Sequence, residues 1–144
     1  MKNLVLIFGL LIIFPSCTVE PDPLHFGKDA CHSCKMTLMD SKFGAEIVTK
    51  KGKVYKFDDL NCMNNFITSN AEPTDNIAQY LVIDFAHPEK LIDATKAFYI
   101  QSEQIKSPMA SHVAAFEKEE DLTSLNKEWN GTALRWEALA ALLK

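Results

Sequence analysis

Apolar residues form one unbroken run at the start of this chain and short alternating or helix-spaced patches after it. Leu4 to Phe14 is apolar throughout, with one glycine, and is 11 residues long. A bilayer span needs about 20, so the run fits the apolar core of a secretory signal. Farther on, Phe43 to Thr49 has strand composition, and Lys50-Lys51-Gly52-Lys53 supplies a turn. Val54-Tyr55-Lys56-Phe57 returns as a second strand with Tyr55 and Phe57 on one face. Asp58 or Asp59 then reads as a helix N-cap, because a short carboxylate accepts from the free amides of the first turn. Leu60, Met63 and Ile67 lie three and four apart, which predicts one buried helix stripe, ended by Asn70 and Pro73.

The second half repeats the order. Strands are predicted at 80–85, within 93–101, and at 113–116. Lys106 to Ala110 is a loop, Asp121 opens a helix through Trp129, and Asn130-Gly131 caps it. Thr132 to Trp136 reads as a last strand and 137–144 as a final helical turn or two. Phe57-Asp58-Asp59-Leu60-x-x-Met63 parallels Phe116 followed by Asp121-Leu122-x-x-Leu125. Both place an aromatic strand end before an acidic cap and an apolar helix, a faint duplication of element order.

The apolar start continues into Phe14-Pro15-Ser16-Cys17, which resembles a bacterial lipobox. Residues 1–16 are therefore expected to be a lipoprotein signal peptide and Cys17 the lipidated first mature residue. Residues 17–28, with Pro21 and Pro23, read as a tether. Thr18 in place of an aspartate slightly favours the outer membrane as the anchoring surface, facing the periplasm. The remaining 128 residues suit one ordinary domain or two small modules. Asp and Glu outnumber Lys and Arg 19 to 15, and the basic residues do not cluster, so nucleic acid binding has no electrostatic footprint.

The chemistry concentrates in Cys31-His32-Ser33-Cys34-Lys35-Met36. Thiols and a thioether are soft donors and point to Cu(I), zinc or redox work. The two-residue spacing lets both thiolates address one metal from a tight turn. The predicted hairpin and helix start would bring Cys62 to the same point, as in a treble-clef site. A helix N-terminus also favours a thiolate there. Asn65 stands where a fourth cysteine would be expected. Met36 lies between polar neighbours and suits Cu(I) better than zinc. Met109 sits in the second-half loop after Pro108, while Met39 reads as packing rather than ligand. His32 and His112 flank the sulfurs as further donors, with His112 read first as structural. His25 and His87 read as surface residues. A Cys31–Cys34 disulfide, a buried rather than ligating Cys62, a structural zinc site and a thiol-disulfide oxidoreductase all remain open. No acid–base pair, phosphate loop or hydrolase nucleophile appears, so no enzyme activity is expected.

These residues resemble the NosL family. The likeness is carried by Cys31-x-x-Cys34-x-Met36, Phe43-Gly44-Ala45, Gly52-Lys53 and Phe57-Asp58-Asp59-Leu60-x-Cys62-Met63. Downstream it is carried by Asp93-Ala94-x-x-Ala97-Phe98-Tyr99 and Ser107-Pro108-Met109. It spans residue 29 to about residue 137. The resemblance implies an α+β fold of two small, similar ββα(β) modules, treble-clef-like and packed together, here about 29–75 and 76–144. It implies a membrane-anchored Cu(I) chaperone that helps assemble the copper centres of nitrous oxide reductase, a denitrification enzyme. It places the copper ligands on Cys34, Met36 and Met109, with Cys31 and Cys62 as additions of a variant site. Ala110 departs from the glycine that members often carry after the Pro-Met pair.

Overall fold

The computed structural model describes residues 19–142. The expected signal peptide, residues 1–16, and Cys17 lie outside the described residues. Two antiparallel sheets are built on one plan. In the first, β1 (Ala45–Thr49) pairs with β2 (Val54–Phe57) through the turn at Gly52, whose φ of 77° suits a residue without a Cβ. Helix α1 (Leu60–Thr68) follows, then a short 3-10 turn at Thr74–Asn76. Strand β3 (Ile77–Ile83) returns on the other side of β1, and β4 (Leu91–Asp93) adds an edge, giving the order β2-β1-β3-β4. In the second sheet β5 (Phe98–Gln101) is central, β6 (Val113–Phe116) lies on one side, and α2 (Glu119–Trp129) leads to β7 (Thr132–Leu134) on the other. Helix α3 (Trp136–Leu142) closes the described chain. None of the described helices is long and apolar enough to cross a membrane.

The duplication is thus structural. Each unit is ββαβ with its first strand in the middle. Ala45 pairs with Phe57 in one and Phe98 with Phe116 in the other. Both helices start at the third residue after that phenylalanine, Leu60 and Glu119. Met63 therefore corresponds to Leu122 rather than Leu125, a shift of three residues, and the helix opens two residues before Asp121: Glu119, Glu120 and Asp121 all lie in the first turn, where acidic side chains favour the helix dipole. The boundary placed between residues 75 and 76 also moves. Strand β3 hydrogen-bonds to β1, so the first sheet extends to Asp93.

All five residues of β1 are buried, although a half-exposed strand would show alternation. The second face is covered by the N-terminal segment expected as a tether. Leu24 is buried, the Asp22 N–H donates to Glu46 Oε1 at 3.1 Å, and Gln79 Nε2 donates to the Val19 carbonyl. Lys56 Nζ reaches the Pro23 carbonyl and pairs with Asp22 and Asp29, each at 2.7 Å. On the opposite face Ile47, Tyr55, Phe57, Met63 and Phe66 form one core cluster with Tyr99, Val113, Ala115 and Leu139 of the second unit. The two units share that core, and it holds the first turn of α1 beside the loop between β5 and β6.

Candidate metal centre

The Cys31–Cys34 knuckle is a tight turn fixed at both ends. The Lys35 N–H donates to the Cys31 carbonyl at 3.0 Å, with Lys35 in the left-handed region, and the Cys31 N–H donates to the Met36 carbonyl at 2.7 Å. The His32 N–H donates to the Lys56 carbonyl, which hangs the knuckle on β2. Ser33 Oγ donates to the Cys62 carbonyl at 2.8 Å and ties it to α1. Asp59 caps that helix, accepting from the Asn61 N–H at 2.9 Å. Cys62 therefore sits in the first turn, where the helix dipole favours negative charge.

The sulfurs of Cys31, Cys34 and Cys62 and a carboxylate oxygen of Asp58 all lie within 4.8 Å of one another. The three cysteines are free thiols. Cys31 and Cys62 are buried at 1% and 2% exposure, and Cys34 is half-buried at the edge of the cluster. Cys34 donates to Asp58 Oδ2 at 3.4 Å, whereas Asp58 Oδ1 is buried without a hydrogen-bond partner. Four convergent donors with one orphaned oxygen are a chemically coherent place for a cation.

The second unit contributes through the loop at 102–112. The Met109 N–H donates to Asp59 Oδ2 at 2.8 Å, and Asn61 Nδ2 donates to the Met109 carbonyl at 2.8 Å. The loop is thereby pinned to the first turn of α1, next to Asp58. Ala110 follows at φ 55°, a conformation that glycine adopts more easily. Met36 stands two residues past Cys34 with its side chain more than half exposed.

The profile of the NosL family matches residues 24–142. The chain belongs to that family. Its fold is similar to that of the crystal structure of the copper chaperone NosL from Shewanella denitrificans, with a TM-score of 0.68 and 18% sequence identity. That likeness covers 83% of this chain and 95% of the other. A search of curated proteins gives no match.

The electrostatics of this family member separate its three thiols. Cys31 accepts a hydrogen bond from the Cys62 thiol, helped by the backbone amides of Asp58 and Cys34, and its pKa falls to about 6. The same hydrogen bond, with burial and the Asp58 carboxylate, pushes Cys62 well up. Burial raises Cys34. Cys31 is therefore the most acidic of the three thiols.

Three expected ligands, Cys31, Cys34 and Cys62, are brought together, and the Met109 loop is docked beside them. The histidines are not among the clustered donors. The His32 ring meets Tyr55, Phe66 and Phe57 edge-on, and His112 Nδ1 bonds the Ile105 carbonyl. Met39, expected as packing, is 73% exposed, because buried Leu38 takes the inward position of that segment. Asp58 was legible only as a possible cap. Two adjacent carboxylates precede α1 where capping needs one; the spare carboxylate was the available signal.

Proposed function

We propose that this chain is a lipid-anchored, extracytoplasmic Cu(I) carrier that hands copper to an acceptor, the copper centres of nitrous oxide reductase or their assembly machinery. The observation that carries the reading is a half-exposed thiol, Cys34, at the edge of a buried three-thiol cluster in a NosL-family chain. The Shewanella denitrificans protein, which has a similar fold, is a copper chaperone. The apolar run ending at Cys17 supports the anchor. Cys34 is the anchor ligand, Met36 and Met109 complete a soft shell, and Cys31 or Cys62 adds a third thiolate in some states. Thiolate supplies affinity, and thioether supplies softness without charge. Ligands from two separate units let a small relative motion open the shell, and an acceptor thiolate can bind before the old one leaves.

Chelator competition tests this. The reduced chain should bind one Cu(I), and Cys34→Ser should weaken binding at least about 100-fold, because a hydroxyl cannot replace a soft thiolate donor. Unchanged affinity would remove Cys34 from the anchor role. A copper-loaded chain should also pass its ion to an acceptor without unfolding.

A second reading rests on Asp58. A carboxylate at the fourth corner of a three-thiolate set is suited to zinc, which would hold the knuckle to α1. Metal analysis after purification separates the two: zinc removable only with loss of structure supports the structural role.

A further inference from the structure

The Cu(I) shell on Cys34, Met36 and Met109 takes at most one of Cys31 and Cys62 and leaves the oxygen of Asp58 unused. These three are among the least accessible groups of the site. Cys31 and Cys62 are 1% and 2% exposed with their sulfurs within 4.8 Å of one another, and Asp58 is 4% exposed with Oδ1 unpartnered. A carboxylate oxygen is a poor companion for Cu(I) and a good one for Cu(II), which prefers harder donors. A buried dithiol within 4.8 Å of both Cys34 and an Asp58 carboxylate oxygen is a two-electron store in contact with whatever binds there.

We propose that the chain accepts Cu(II) and reduces it, with Cys31 and Cys62 as the electron source. This rests on the reading of Cys34 as the Cu(I) anchor. Asp58 and Cys34 receive the cupric ion. Two Cu(II) ions take one electron each from the Cys31 and Cys62 thiols. The Cys31 sulfur reacts as its thiolate, the Cys62 S–H bond breaks and its proton leaves to solvent, one S–S bond forms, and two Cu(I) ions result. One Cu(I) stays on Cys34 with its thioethers, and the other departs to solution ligands. The buried dithiol is shielded from bulky disulfide partners, so a small ion bound at the edge has the advantage. Closing the two sulfurs to bonding distance, about 2 Å, takes side-chain rotation in a loop residue and a first-turn residue.

The test uses the full chain, reduced and then freed of reductant under argon, titrated with Cu(II) sulfate. The cupric electron paramagnetic resonance signal should be lost for two equivalents per chain. The thiol count should fall by two, and peptide mapping should find a Cys31–Cys62 crosslink with the mass of two hydrogens lost. In the same preparation Cu(I) affinity is measured directly by chelator competition. A persistent cupric signal with all thiols intact, while Cu(I) still binds, overturns the reduction and leaves the carrier reading in place. Failure to bind Cu(I) at all overturns the carrier reading itself. A crosslink that engages Cys34 overturns the assignment of the electron pair. The Cys31→Ser, Cys62→Ser double variant should leave the cupric signal standing. Asp58→Asn, which keeps every thiol, should slow its loss at least about tenfold.

Discussion

A buried carboxylate oxygen without a partner is costly unless a cation or proton sits beside it, and Asp58 Oδ1 is such an atom. Asp58→Asn should therefore discriminate between metals. Zinc affinity should fall about 10–100-fold on loss of an anionic oxygen donor, and Cu(I) affinity by less, because copper is held by sulfur. Parallel competition titrations check this, and an equal loss for both metals would remove the hard-donor role. Glu46 poses a different residue-scale problem, away from the centre. It is fully buried under the N-terminal segment, Oε2 has no partner, and burial raises its pKa from 4.5 to about 7. The folded state thus holds a proton that the unfolded state releases, and stability falls as pH rises through this window. The penalty is absent below 4.5, grows to about pH 7, and is complete above it. Glu46→Gln should stabilise the chain by about 1–3 kcal/mol at pH 8 and by little at pH 4.5, read from denaturant midpoints. A pH-independent difference would contradict the titration.

At the scale of elements, Asp59 joins two pieces of backbone with one side chain. Oδ1 caps α1, and Oδ2 holds the Met109 loop. Asp59→Ala should cost about 2 kcal/mol and release the Met109 amide to hydrogen exchange. Asp59→Asn keeps a capping oxygen and should free the same amide at a smaller loss of stability. Equal protection of that amide in all three proteins would deny the link. Gly131 sets the second unit in the same way. A Cβ there would meet Ile100 Cγ2 at 2.5 Å and the Gln101 carbonyl at 2.6 Å. Gly131→Ala should cost about 1–3 kcal/mol by forcing β7 away from β5, visible as a lower thermal midpoint. Much of this was readable from the chain. The strand at Val113–Phe116 and the Asn130 cap, at φ 48°, follow from local pattern alone. The three residues of β4 were too few to carry a period. The docked segment from Val19 to Lys28 was hidden because its prolines mark extended chain, and only tertiary contacts from Lys56 and Glu46 say what that chain lies upon. The centre was legible in its sulfurs, whose type announces chemistry, and illegible in Asp58, whose neighbour already explained a carboxylate.

The whole molecule is a duplicated ββαβ unit, and the question at this scale is whether the halves behave as one. Three features join them. The larger core cluster draws Ile47, Tyr55 and Phe57 from the first unit and Tyr99, Val113 and Ala115 from the second. The Phe85 N–H donates to the Ala115 carbonyl at 2.8 Å, extending the line of β3 alongside β6. Helix α3 crosses back so that Leu139 is 1% exposed and Trp136 packs on Tyr80, with ring centroids 5.5 Å apart. Neither unit can be removed without exposing the other's interior, so the described chain should unfold in one step. Fluorescence tests this, because both tryptophans belong to the second half while circular dichroism weighs both sheets. The two signals should give the same denaturant midpoint. Leu139→Ala should lower that midpoint in both together, by a loss of about 2–4 kcal/mol with little change in slope. A tryptophan transition that separates from the backbone signal would mean that the units melt independently. A copper shell shared between them would then open whenever one of them did.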